Sequence, residues 1–157
     1  MNRPSFQFYP ADWLRNGNLR RCSAAARGVW MDILCVLHDS ETYGVVRWTL
    51  ADLANAVGSA IRYLRELVEK EVLKGCDEGI CEPLVYIPRS GRKEGRAVDL
   101  IEAQPGPIWY SSRMVRDEYV RKRSGGGTRF GTKNGAEDNH GGGDSRSPGR
   151  GQGAEFR

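Results

Sequence analysis

The sequence predicts an α+β fold, a winged helix-turn-helix with a β-hairpin wing, followed by a disordered Gly-rich tail. Three observations predict it. Apolar residues recur at intervals of three and four over residues 23–39 and again over 59–73, as the buried stripe of a helix requires. Between these stripes lies a short helical segment that ends at Gly58-Ser59, so two helices are separated by a single tight turn. Beyond them, two β-prone runs flank a basic loop that contains glycine, which reads as a hairpin. The expected organisation is a folded domain over residues 1–123 and a tail over 124–157.

The opening Phe6-Gln7-Phe8-Tyr9-Pro10 alternates aromatic and polar side chains, which predicts an extended segment with one buried face. Pro10 and Asp12 then favour a turn before Trp13-Leu14. Ser23 is placed to cap a helix to about Asp39, whose stripe is Ala26, Val29, Trp30, Ile33, Leu34 and Leu37. Val45-Val46 reads as a short strand, and Thr49 as the cap of a helix over Leu50–Val57 with Asp52 in its first turn. Gly58 stops that helix, and Ser59 is expected to cap a third one through about Leu73. The hairpin then joins Leu84–Pro88 to Ala97–Ile101, Pro107–Tyr110 supplies a further strand, and a last helix spans Ser112 to about Arg123.

Charge is unevenly placed. Residues 1–110 carry 14 basic and 14 acidic side chains, whereas residues 111–133 hold 7 basic against 2 acidic, so the net +4 belongs to the C-terminal segment. A basic, Gly-rich arm on a neutral domain suits a polyanionic partner. From Ser124 to Arg157 there are 11 Gly, and only Phe130 and Phe156 are large and apolar, too little to offset the entropy of ordering. There is no apolar run long enough for a membrane span and no signal-peptide pattern, so no membrane partner is expected.

Cys22, Cys35, Cys76 and Cys81 lack the paired short spacings of a structural zinc site. Cys35, inside Ile33–Leu37, is expected to be buried, and all four thiols are expected to be reduced in a cytoplasmic setting. Cys76 and Cys81 flank a turn and can lie close together. No phosphate loop, HExxH or nucleophile elbow occurs, so an enzyme, a cofactor and a metal are not expected. Metal-dependent nuclease chemistry would need Asp12, Asp32 and Asp39 to converge.

Binding residues are easier to nominate. Arg62, Tyr63 and Arg65 fall near the start of the third helix, where side chains reach base edges in helix-turn-helix complexes. Thr49 and Ser59 stand at helix N-termini, which hold phosphate through backbone N–H groups, although both residue types are ordinary caps as well. Arg89, Arg92, Lys93 and Arg96 crowd the hairpin tip against Glu94 alone. Arg113, Arg116, Arg121, Lys122 and Arg123 begin an arm able to follow a backbone electrostatically. Glu66, Glu69 and Glu71 share the third helix, where they would form ordinary surface pairs and repel phosphate.

The run Phe6–Trp13, followed by Leu19, Ser23, Ala26–Trp30 and Leu34, and the later run Ile108–Glu118, bracket nearly the whole folded region. Both resemble a family of phage and prophage proteins of unknown function that is similar to the N-terminal domains of phage replisome organisers and replication initiators. The resemblance implies a winged-helix domain of phage or mobile-element origin in the cytoplasm of a bacterial host. Double-stranded DNA is then the expected partner, in replication initiation or replisome organisation. Two other roles use the same fold: a module that binds and inhibits or redirects a host or phage replication protein, and a transcriptional regulator, which would act as a homodimer. The stretch Cys76–Pro107 is longer than a compact wing needs.

Overall fold

The structure, a computed structural model, describes residues 3–124. The tail expected to be disordered lies outside the described residues. The fold is mixed α+β, with six helices and small antiparallel sheets.

The helices come first. α1 (Pro10–Arg15) and α2 (Gly17–Arg20) form the entry, and Asn16 caps α2 by accepting from the backbone N–H groups of Asn18 and Leu19 at 3.1 and 3.2 Å. The predicted turn at Pro10–Asp12 is instead the first turn of α1, because proline suits the opening position of a helix. The preceding aromatic segment is extended, but it has no buried face: Phe6 is half-buried while Phe8 and Tyr9 are exposed. α3 (Ala24–Asp39) starts where expected, with Ser23 Oγ accepting from Ala26 N at 3.2 Å. Its buried stripe is Ala26, Trp30, Ile33 and Leu37. Cys35, by contrast, is exposed, since the stripe at 30, 33 and 37 leaves position 35 on the opposite side.

α4 (Leu50–Ala56) and α5 (Ile61–Glu69) follow the short strand β1 (Val45–Val46). The turn between them is fully used. Gly58, at φ +65°, lets its own N–H reach Asn55 O and the Ser59 N–H reach Ala54 O, closing the last carbonyls of α4. Ser59 therefore completes α4 and does not cap α5, whose N-cap is Ala60 with no side-chain bond. α5 also ends four residues before the predicted Leu73. Glu71 sits at φ +57°, and the N–H groups of Glu71 and Val72 turn back to Val68 O and Leu67 O, the same closing motif built on a residue other than glycine.

The chain from Lys74 to Tyr110 is one interrupted antiparallel ribbon. β2 (Lys74–Cys76), β3 (Ile80–Cys81), β4 (Leu84–Tyr86) and β5 (Arg89–Ser90) run outward, and β6 (Lys93–Glu94), β7 (Val98–Ile101), β8 (Gln104–Pro105) and β9 (Ile108–Tyr110) return. Their register stays nearly constant, from Lys74 opposite Tyr110 to Ser90 opposite Lys93. The predicted hairpin is its middle, and the predicted strand at 108–110 is its return leg. β9 also pairs with β1, giving a sheet in the order β1-β9-β2.

Two apolar clusters meet at β9. Trp109 joins Leu19, Trp30, Ile33, Leu53, Leu64 and Met114 in the helical core, while Ile108 and Tyr110 join Val45, Cys81 and Ile101 on the other side. α6 (Ser112–Arg123), capped by Ser111, starts directly after β9 and lays Met114 into the helical core. Cys76 and Cys81 form a disulfide across the Asp77–Gly79 turn, with Cα atoms 5.6 Å apart, which corrects the expectation of four reduced thiols. That expectation came from the compartment. The turn brings the pair within bonding range regardless of it.

Candidate nucleic-acid interface

α5 buries Leu64 and Leu67 against α3 and leaves Arg62 and Arg65 exposed. Arg62 lies over its neighbour Tyr63, with the guanidinium 4.7 Å from the ring centroid and Nη2 donating to the hydroxyl at 2.9 Å. Neither arginine pairs with a carboxylate among the described residues. At the start of α5 no side chain caps the backbone, so the N–H groups of Ile61 and Arg62 have no side-chain acceptor.

Of the three glutamates expected to oppose them, Glu69 is exposed beside Lys70 and Glu71 lies past the end of α5, while Glu66 is engaged elsewhere. Glu66 turns to the N-terminus of α3, where one oxygen accepts from Ser23 N at 2.5 Å and the other from Ser23 Oγ at 2.8 Å. These bonds hold its carboxyl below the ordinary glutamate pKa. Because the folded pKa is the depressed one, the stabilisation is present above the unfolded pKa and is lost as pH falls through the folded one. In thermal melts, the advantage of wild type over Glu66→Gln should therefore be constant near neutrality and shrink as the pH falls below the ordinary glutamate range. An advantage that does not change with pH would show that the charge at Glu66 is not what α3 uses.

Two further basic groups stand on the ribbon tip and on α6. α6 begins at the root of the ribbon and reaches it again further out, where the Tyr119 and Tyr86 rings meet edge to face at 5.8 Å. Helix and ribbon thus run the same way, and the last turn of α6 ends toward the ribbon tip. At that tip Arg89 pairs across the strands with Glu94 at 3.3 Å, while Arg92, Lys93 and Arg96 make no ion pair among the described residues. On α6, Arg121 and Lys122 reach Glu118 at 3.0 and 3.7 Å, and Arg3 approaches the same carboxylate. Arg123 donates to the Tyr119 hydroxyl at 2.8 Å. Three cations thus share the Glu118 carboxylate.

Other nominated residues are occupied. Arg113 ties α6 to the N-terminal helix, bonding Asp12 at 2.8 Å and lying over Tyr9, whereas Arg116 stays exposed. Thr49 Oγ1 accepts from Asp52 N at 3.1 Å, so it is an ordinary cap. The next donor of α4, Leu50 N, is taken by Asp77 Oδ1 at 2.7 Å. The same oxygen accepts from the indole N–H of the buried Trp109 at 2.8 Å. Asp77 thereby bolts the ribbon root to the start of α4. Sequence reasoning left it in a turn, and no local signal marks it, since its partners lie 27 and 32 residues away.

Among the described residues, no three His, Cys, Asp or Glu side chains gather as a metal-holding group, so Asp12, Asp32 and Asp39 do not converge as one. A cleft of about 730 Å³ lies between the α3–β1 turn, β7 and α6, and its lining mixes Arg3, Arg47 and Arg121 with Glu41, Asp99 and Glu118. No helix among the described residues is long and apolar enough to cross a membrane. Compared with protein-family models, with curated proteins and with solved structures, the chain matches none of them.

Proposed function

We propose that this chain is a non-enzymatic DNA-binding protein of winged-helix type, from a phage or mobile element, acting in replication initiation or replisome organisation. The observation that carries the reading is the surface of α5. Two exposed arginines without a carboxylate partner stand on the first half of α5, whose start has no side-chain cap, and Glu66, the glutamate one turn from Arg62, is drawn to α3. The order α3, β1, α4, α5, β2, β9 with sheet order β1-β9-β2 supports the winged-helix assignment. In this reading α5 enters the major groove, and the ribbon tip with the end of α6 meets phosphates further along the duplex.

Fluorescence-anisotropy titration of a DNA duplex across a salt series tests it. Affinity should fall steeply with salt. Arg62→Ala and Arg65→Ala should each weaken binding about 5- to 100-fold, and replacing Arg92, Lys93 and Arg96 by Ala should flatten the salt dependence by roughly three phosphate contacts. No binding at low salt would overturn the reading.

A second reading, a module that grips a host or phage replication protein, is favoured by the exposed Phe8, Tyr9 and Leu14 beside α1. It requires capture of a partner from nuclease-treated lysate that Leu14→Ser abolishes.

A further inference from the structure

The outer face of the ribbon carries three large aliphatic side chains in the open: Ile80 is 70% exposed, Val85 51% and Ile87 46%. Within β3 alternation sets Ile80 opposite Cys81, and along β4 it sets Val85, with Ile87 beyond it, opposite Leu84 and Tyr86; Cys81 and Leu84 share the inner apolar cluster, and Tyr86 meets Tyr119 of α6. The charges around this stripe are sorted. Residues 77–88 and 97–107 contain five carboxylates and no Lys or Arg, whereas residues 89–96 contain four cations and one carboxylate. Of those five, Glu78, Glu82, Asp99 and Glu102 are exposed, while Asp77 is engaged by Leu50 and Trp109. Cations from other elements approach on the inner side: Arg47 donates to Gln104 at 2.6 Å, and Arg3, Arg121 and Lys122 line the cleft that also holds Asp99.

A surface with an apolar middle, a negative root and a positive tip is complementary to itself when turned end to end. We propose that the outer face of the ribbon is a docking surface for a second copy of this chain, the two ribbons packed antiparallel about a two-fold axis near Val85. Such an axis sets Arg89 beside Glu82 and Arg92 beside Glu78 of the other copy, twice over. Parallel packing would instead set tip against tip, where like charges repel. With strands rising about 3.3 Å per residue, the face measures roughly 45 Å by 10 Å, about half of a standard interface per copy. The dimer is accordingly weak, with a dissociation constant on the order of 100 µM, and salt-sensitive. It goes beyond the DNA-binding reading and does not depend on it.

Sedimentation velocity of the nuclease-treated full chain, up to about 500 µM at low salt, tests the proposal without DNA. The sedimentation coefficient should rise with concentration and fall back to the monomer value in about 1 M salt. Val85→Ser with Ile87→Ser should weaken association at least 10-fold while the chain stays folded by circular dichroism, since both side chains are about half exposed. The charge test is decisive for orientation. Arg92→Glu with Lys93→Glu should be monomeric, and so should Glu78→Lys with Glu82→Lys, yet an equimolar mixture of the two should associate. A wild-type chain that stays monomeric throughout, or a mixture that does not associate, overturns the proposal. Loss of association in a chain cut after Ser124 also overturns it, because the face would then be taken by residues 125–157.

Discussion

Gly75→Ala is expected to destabilise the domain by about 3–5 kcal/mol, enough to leave much of it unfolded at 37 °C. Gly75 holds φ +134°, a region side-chain-bearing residues rarely occupy. A Cβ there would overlap the Ile108 carbonyl oxygen and lie 2.9 Å from Trp109 Cα. Both are backbone atoms of β9, which is held on its other edge by β1, so neither can withdraw without opening a second ladder. Gly28→Ala is the control. On α3 a Cβ meets nothing within 4 Å, and alanine should stabilise by about 0.5–1 kcal/mol. Urea denaturation of the two variants checks both signs. Equal midpoints would mean that β2 and β9 do not approach this closely.

Asp77→Ala should cost about 2–4 kcal/mol. It strands the indole N–H of Trp109 in a buried site, for about 1–3 kcal/mol, and removes a charged partner from the start of α4, for about 1 kcal/mol more. Asp77→Asn keeps an oxygen in the same place and should lose less than half as much. The contrast matters more than either value. If both variants fall equally in chemical denaturation, the charge holds the ribbon root, and if neither falls, the two hydrogen bonds are not made in solution.

Local chemistry made much of the fold legible. Ser23 and Thr49 cap the helices they precede, the stripe of α3 is where its spacing puts it, and α6 runs over the residues predicted for it. Each of those signals involves neighbours within a few positions. The readings that failed depended on partners far along the chain or on an unusual backbone. Glu66 looked like one side of a surface pair with Arg62 or Lys70, but its partner is Ser23, 43 residues earlier. α5 stops at Glu69 because Glu71 adopts a positive φ that its side chain does not advertise. At the candidate interface the arginines of α5 and the ribbon tip could be named from the sequence. What could not be read was the withdrawal of Glu66, the use of Arg113 as a strut to Asp12, and the contact of α6 with the ribbon through two tyrosines.

The position of β9 between the two apolar clusters bears on how the chain is made. Residues 19–73 supply nearly all of the helical core, and they leave the ribosome well before Trp109 and Met114, which close it. At ordinary rates of synthesis the gap lasts several seconds. During that interval the part of the helical core that Trp109 and Met114 close is left open, and the long ribbon is the stretch of chain still to be delivered. The nascent protein is thus most exposed to wrong partners before Trp109 arrives, and the strand that completes the sheet is also the one that ends this period.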